Sequence, residues 1–136
     1  MIVYLCGPIT GCTDKEASAW REEAEFALND LDVYTLNPMD RDYRGNPNSH
    51  LPELVEEDKI DIEMSDILLV NYYKPSIGTS QEIILGWERN KRVITVAAPG
   101  VERPAWLVYH THNFFDTFEE AYDKIYELEQ RVKRLR

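Results

Sequence analysis

Short apolar runs alternate along this chain with segments in which apolar residues recur every three or four positions. The short runs are typical of buried strands, and the periodic segments are typical of helices with one buried face. Strands are predicted at residues 2–6, 33–36, 67–70, 93–97 and near 114–115; helices are predicted from about 13 to 30, 52 to 64 and 79 to 90, and from 117 onward. This alternation predicts an α/β fold in which helices cover both faces of a parallel sheet.

Three polar loops follow predicted strands, at residues 7–13, 37–49 and 71–79. Each contains the glycine, proline, asparagine or aspartate residues that favour turns. In an open parallel sheet, ligands bind beyond the carboxyl ends of the strands, near the point where the strand order reverses. We therefore expect the functional residues of this chain to lie in or beside these loops.

Length, charge and cysteine content exclude several classes of partner. The 136 residues suit one domain that spans residues 1–136, and the net charge of −10 argues against binding to nucleic acid or to an anionic membrane. No apolar stretch approaches the roughly 18 residues of a membrane span. Cys6 and Cys12 form neither a disulfide framework nor a four-ligand metal site, and residues 2–6 are too short for a signal peptide. We expect a cytoplasmic protein.

Two of these loops contain residues that could take part in catalysis or in ligand binding. Glu82 follows Gly78 in the first turn of a predicted helix, where a carboxylate would point into the crevice beyond the sheet. The alternative is structural, because Thr79 and Glu82 have the spacing of a capping box. The loop that begins at Gly7 could bring backbone amides to a ligand, or it could be a plain turn between a strand and a helix.

Asp58 and Tyr4 have unusual positions for their side chains. Asp58 lies on the same helix face as Leu54 and Ile62, and a charged residue on an apolar face needs a partner or a function unless it lies at the exposed edge. Tyr4 lies within an apolar strand, where its ring could simply be core. A buried phenol nevertheless needs a hydrogen-bond partner, and a carboxylate in the crevice would provide one.

Three stretches of the sequence together resemble the nucleoside 2-deoxyribosyltransferase family, which includes the nucleoside 5'-monophosphate N-glycosidases. The first is the strand and loop from Val3 to Ile9, and the second is Asp58, eight residues before Asp66. The third is Pro75-Ser76-Ile77-Gly78-Thr79-Ser80-Gln81-Glu82. The loop at residues 37–45 is also similar to the family's loop after the second strand.

The resemblance implies a flavodoxin-like three-layer sandwich with a five-stranded parallel sheet, and a homodimer or larger assembly. It implies that Glu82 is a nucleophile, that Asp58 is the acid that serves the base, and that Tyr4 holds Glu82. The substrate-binding residues that it implies are Gly7, Ile9, Asp40, Ser76 and Gly78. A neighbouring subunit would contribute residues from a segment near 106–113.

These residue types suit the cleavage of a bond between a base and a sugar. A nucleobase leaves readily only after protonation, which a carboxylic acid in a semi-apolar site can supply. A second carboxylate can stabilise the oxocarbenium-like sugar and trap it covalently. The sugar then passes to another nucleobase or to water, and the reaction requires no metal or organic cofactor.

Three loop positions give mixed indications of the substrate. Ser76 resembles the residue of the monophosphate glycosidases at this position, where many nucleoside transferases have an aspartate. In contrast, Pro8 and Thr10 stand where those glycosidases often have a serine and an arginine.

A non-catalytic nucleotide-binding module is the main alternative. A phospho-receiver domain would need acidic residues where this chain has Cys6 and Gly7. A flavodoxin would need a phosphate loop richer in hydroxyl groups.

Overall fold

Five parallel strands form the central sheet of this protein. The computed structural model describes residues 1–41 and 51–136. The strands are β1 (Ile2–Cys6), β2 (Tyr34–Leu36), β3 (Ile67–Asn71), β4 (Arg92–Val96) and β5 (Asn113–Phe115). Their order across the sheet is β2-β1-β3-β4-β5, and every pairing is parallel. This order places the topological switch point between β1 and β3.

Helices connect the strands and cover both faces of the sheet. They are α1 (Asp14–Asn29), α2 (Leu51–Met64), α3 (Ile77–Glu88), α4 (Ala105–Tyr109) and α5 (Phe118–Leu135), and a short 3-10 helix spans Pro38–Asp40. Thr13 caps α1 in a capping box with Glu16, as its spacing predicts. Thr117 caps α5 by accepting a hydrogen bond from the Glu120 amide.

The sheet separates two apolar clusters. On one face, alternate residues of β1, β3 and β4 pack against α1 and α5; the cluster includes Leu5, Leu69, Trp20 and Ile125. On the other face, the intervening residues pack against α2, α3 and α4; this cluster includes Tyr4, Cys6, Ile62 and Ile83. The predicted flavodoxin-like three-layer sandwich with a five-stranded parallel sheet is confirmed.

One predicted helix start is wrong, and its correction changes the interpretation of Glu82. Helix α3 begins at Ile77 rather than at Thr79, because Ser76 caps it by accepting a hydrogen bond from the Thr79 amide. Thr79 is therefore inside the helix, and its buried hydroxyl has no hydrogen-bond partner among the described residues. The capping-box alternative for Thr79 and Glu82 is excluded, so helix capping does not explain the glutamate.

Two short elements are absent from the sequence prediction. The 3-10 helix at Pro38–Asp40 and the five-residue helix α4 lie in segments rich in proline and polar residues, which are typical of loops. Neither is long enough for apolar periodicity to identify it. Among the helices in residues 1–41 and 51–136, none is long and apolar enough to cross a membrane.

Candidate active site

A large crevice opens beside the carboxyl end of β1, between the loops that follow β1 and β3. It encloses about 1260 Å³, and its lining includes Gly7, Ile9, Asp58, Ser76, Gly78 and Glu82. A volume of this size accommodates a nucleotide. Six of the eight residues that the sequence assigns to catalysis or substrate binding therefore line one cavity, although they come from three separate parts of the chain.

Tyr4 and Glu82 meet at the inner wall of this crevice. Tyr4 is fully buried in β1, and its phenolic hydroxyl donates a hydrogen bond to Oε2 of Glu82. Glu82 is half-buried on α3 and also borders the crevice. The predicted contact between phenol and carboxylate is present, so one carboxylate oxygen is held by β1 while the glutamate faces the space where a ligand would bind.

The other carboxylate oxygen of Glu82 has a weaker neighbour. The Cys6 thiol lies 3.8 Å from Oε1 and 3.9 Å from the Thr79 carbonyl oxygen, distances at which sulfur forms only weak hydrogen bonds. Sequence reasoning assigned no role to Cys6. The signal was present, because residues two apart on a strand share a face and Cys6 follows Tyr4 by two.

The enclosure of this pair changes its acidity. Desolvation raises the pKa of Glu82 to about 7, and the nearby Asp58 carboxylate also raises it, while the Tyr4 hydrogen bond and the Arg21 charge lower it. Desolvation and the neighbouring Glu82 raise the pKa of Tyr4 well above its usual range. Tyr4 therefore remains a phenol and a donor at neutral pH, while Glu82 titrates near neutrality.

Asp58 faces the crevice from α2, and Arg41 holds it in place. Arg41 Nη2 lies 3.0 Å from Asp58 Oδ1 and 2.7 Å from Asp61 Oδ2, and Arg41 Nε lies 2.7 Å from Glu57 Oε2. Burial raises the pKa of Asp58, although the hydrogen bond and charge of Arg41 lower it. Asp61 belongs to the same cluster, since its side chain is only 13% exposed and pairs with Arg41.

Asp40 is separate from the other candidate residues. It is exposed at the end of the 3-10 helix, and the described lining of the crevice includes its neighbours Met39 and Arg41 but not Asp40 itself. The loop at residues 37–45, which is similar to the family's loop after the second strand, is described only as far as Arg41, and residues 42–50 lie outside the described part of the chain. Among the described residues, no group of three or more His, Cys, Asp or Glu side chains has the arrangement of a metal site.

Comparison with known proteins gives similar structures but no similar sequence. No protein-family model matches the chain, and a search of curated proteins also finds no match. A 2-deoxyribosyltransferase from Bacillus psychrosaccharolyticus superposes with a TM-score of 0.76 at 17% identity, over 90% of each chain. A CMP N-glycosidase from Clostridium botulinum superposes with a TM-score of 0.60 at 18% identity, over 92% of this chain and 98% of the other.

A third similar structure is a conserved protein from Enterococcus faecalis V583, with a TM-score of 0.68 at 16% identity, over 96% of this chain and 98% of the other. At these identities the similarity concerns the fold. The chain has the fold of a 2-deoxyribosyltransferase and of a nucleotide N-glycosidase, over nearly its full length. The resemblance that three short sequence stretches suggested is thereby confirmed at the level of the fold.

Proposed function

We propose that this protein cleaves the N-glycosidic bond of a nucleoside or a nucleoside 5'-monophosphate and passes the sugar to another nucleobase or to water. The observation that carries this proposal is the Tyr4–Glu82 pair at the wall of a crevice that Asp58 also lines. Fold similarity to a 2-deoxyribosyltransferase and a CMP N-glycosidase supports it. Fold alone does not define function, and the site residues therefore carry the argument.

In the first step, the bond between C1' of the sugar and the base nitrogen breaks, and its electron pair moves to the base. Protonated Asp58 gives its proton to the base, which leaves as a neutral molecule. A carboxylate oxygen of Glu82 then forms a bond to C1', giving a covalent glycosyl ester. Oε1 is the better candidate for this oxygen, because Tyr4 occupies Oε2 while Oε1 has only the distant Cys6 thiol beside it.

In the second step, the acceptor gives its proton to the Asp58 carboxylate and attacks C1', and Glu82 leaves as a carboxylate. Two displacements at C1' give retention of configuration. A nucleobase acceptor produces a new nucleoside, and a water acceptor produces the free sugar or sugar phosphate. The side chains described above suffice for this chemistry, with no metal or organic cofactor.

The alternative is a module that binds nucleotides without reaction. Such a module would need the crevice but not a buried phenol that orients a glutamate with a pKa of about 7. Perturbed carboxylates that face a cleft are typical of catalytic sites. The Tyr4–Glu82 arrangement therefore favours an enzyme.

The test is turnover of a panel of nucleosides and 5'-monophosphates, with and without a second base, followed by chromatography of bases and nucleosides. We expect Glu82→Gln to reduce turnover by at least about 1,000-fold, because it removes the nucleophile. Glu88→Gln is the matched control on the same helix, where the side chain is exposed and outside the crevice. A Glu82→Gln protein with near-normal rate contradicts the mechanism.

Trapping identifies the attacking residue directly. A 2-fluoro sugar analogue slows release of a covalent intermediate, so mass spectrometry of the parent protein should find one sugar attached to Glu82. A label on another residue would reassign the nucleophile. Binding of every substrate without product would instead favour the non-catalytic module.

A further inference from the structure

Helix α1 carries an arginine on its buried face. Arg21 is fully buried, and its guanidinium donates hydrogen bonds to three backbone carbonyl oxygens: Nη1 to Ala17 at 2.6 Å, Nη2 to Gly7 at 2.8 Å and Nε to Leu5 at 3.4 Å. Its Cζ also lies 4.6 Å from the centre of the Trp20 ring. The side chain thus joins α1 to the end of β1 and to the first residue of the crevice loop.

Among the described residues, no carboxylate lies within ion-pair distance of Arg21. A buried cation without a paired anion is costly, and desolvation accordingly lowers the pKa of this guanidinium. Backbone carbonyls alone could be satisfied by a neutral donor. A cation at this position therefore needs an electrostatic explanation beyond its hydrogen bonds.

Arg21 lies on the α1 side of the sheet, whereas Tyr4 and Cys6 belong to the cluster on the opposite side. The charge of Arg21 acts across the end of β1 on these two residues, on Glu82 of α3 and on Tyr73 after β3. Glu82 in turn experiences Tyr4 and Cys6 from β1, Arg21 from α1 and Asp58 from α2. Arg41 pairs with Asp58 in this group, whereas Arg21 is the cation whose charge lowers the pKa of Glu82, the member that ionises near neutral pH.

The loop that begins at Gly7 is held by Arg21 together with its neighbour Trp20. Gly7 packs so tightly that an added Cβ would lie 2.8 Å from the Trp20 ring and 3.3 Å from the Asn71 carbonyl oxygen. Trp20 and Arg21 therefore fix Gly7 from one side, through ring contact and through a hydrogen bond to its carbonyl. Gly7 begins the loop that lines the crevice, three residues after Tyr4.

We propose that Arg21 is a positioning residue for the reaction: its hydrogen bonds to the Leu5 and Gly7 carbonyls fix the end of β1 and the crevice loop around the Tyr4–Glu82 pair. The inference rests on the proposed function of Glu82 as nucleophile. Arg21 does not line the crevice, so it acts through Glu82 and the loop.

The charge has a defined effect on pH dependence. A carboxylate nucleophile must be ionised, so kcat/KM for a substrate with an activated leaving base should rise with pH through the Glu82 pKa of about 7. Removal of a nearby cation disfavours the carboxylate and raises that pKa. The rising limb of the pH profile then moves to higher pH, which loss of packing alone would not cause.

The experiment compares Arg21→Met, Arg21→Lys and the control Arg92→Met, which makes the same substitution at the first residue of β4, away from the crevice. The Glu82 carboxyl is titrated by NMR in protein with 13C-labelled glutamate, its signal assigned with Glu82→Gln. We expect Arg21→Met to raise the Glu82 pKa by about one unit and to lower kcat/KM at pH 6 about tenfold through this ionisation. Arg92→Met should leave both unchanged.

Arg21→Lys separates the two roles. An ammonium keeps the charge but lacks the planar fork that reaches three carbonyls, so kcat should fall while the Glu82 pKa stays near its parent value. If Arg21→Met does not fold, the Arg21→Lys variant tests the proposal by itself. A kcat and a KM equal to those of the parent protein would overturn the proposal. A reduced kcat, with the rising limb of the pH profile at the same pH as in the parent protein, would support it.

Failure of this inference is distinguishable from failure of the proposed function. An unchanged Glu82 titration in folded Arg21→Met overturns the electrostatic role, whatever the protein catalyses. A parent protein without turnover on any nucleoside or nucleotide refutes the proposed function, and the NMR titration still tests whether Arg21 favours ionised Glu82.

Discussion

Two opposing effects act on the pKa of Asp58. Burial in the crevice raises its pKa, whereas the Arg41 guanidinium 3.0 Å away favours the carboxylate. A bound substrate that excludes water strengthens the first effect. In the proposed reaction, substrate binding is therefore the event that makes Asp58 a proton donor.

This role predicts a dependence on the leaving base. Asp58→Asn removes the proton donor, so substrates with poor leaving bases should slow by about 100-fold or more, and activated ones by much less. The measurement is kcat/KM across a series of bases of graded acidity. Asp61→Asn is the matched control, since Asp61 also pairs with Arg41 but does not line the crevice. Equal losses across the series would mean that Asp58 only positions the substrate.

Arg21 shares with Asp58 the feature that distinguishes Asp58 in the sequence. Both are charged residues on the apolar face of a helix, and Arg21 lies four residues after Ala17 and next to Trp20. Tyr4 and Glu82 could be predicted because the family resemblance covers them. The contacts of Arg21 with three carbonyls could not be predicted, since they depend on how α1 packs against β1.

At the scale of elements, the start of α3 determines how the crevice receives a substrate. Beginning at Ile77, the helix directs its first amides and the positive end of its dipole toward the crevice wall. The sequence predicts a later start because residues 74–78 contain the proline and glycine of a turn, and because Thr79 and Glu82 have the spacing of a capping box. The Ser76 side chain sets the actual start, and a single serine in such a loop is a weak local signal.

Ser76 predicts a preference for a nucleoside 5'-monophosphate over the free nucleoside. Its hydroxyl oxygen accepts from the Thr79 amide, which leaves its hydrogen available to phosphate beside the helix N-terminus. Ser76→Asp keeps a good helix cap and adds a negative charge that repels phosphate. The change should lower the ratio of kcat/KM with and without the 5'-phosphate by about tenfold or more.

Ser76→Ala is the control for this element. It removes the cap, which costs about 0.5–2 kcal/mol of stability, without adding charge. Its ratio should fall less than that of Ser76→Asp. A parent enzyme that prefers the free nucleoside, or a ratio that Ser76→Asp leaves unchanged, would assign the protein to the nucleoside transferases instead.

At the scale of the whole molecule, α4 presents an unusual surface. Trp106 is 77% exposed, Tyr109 is 70% exposed and Val108 is 48% exposed, although all belong to one five-residue helix. Trp106 stacks on His110, and Tyr109 packs against Trp87. Contiguous exposed aromatic groups are typical of protein interfaces, where Trp and Tyr often contribute most of the binding energy.

We therefore predict that the protein is a homodimer or larger assembly and that α4 takes part in the contact. Trp106→Asp should shift the molecular mass measured by light scattering to that of the monomer at micromolar concentration, because it places a charge within an apolar interface. If a neighbouring subunit completes the crevice, turnover should fall with dissociation and recover as protein concentration rises. Tyr34→Asp is the matched control, since Tyr34 is 74% exposed on β2, at the opposite edge of the sheet from β5. An active parent protein that is monomeric at every concentration would show that one chain forms the whole site.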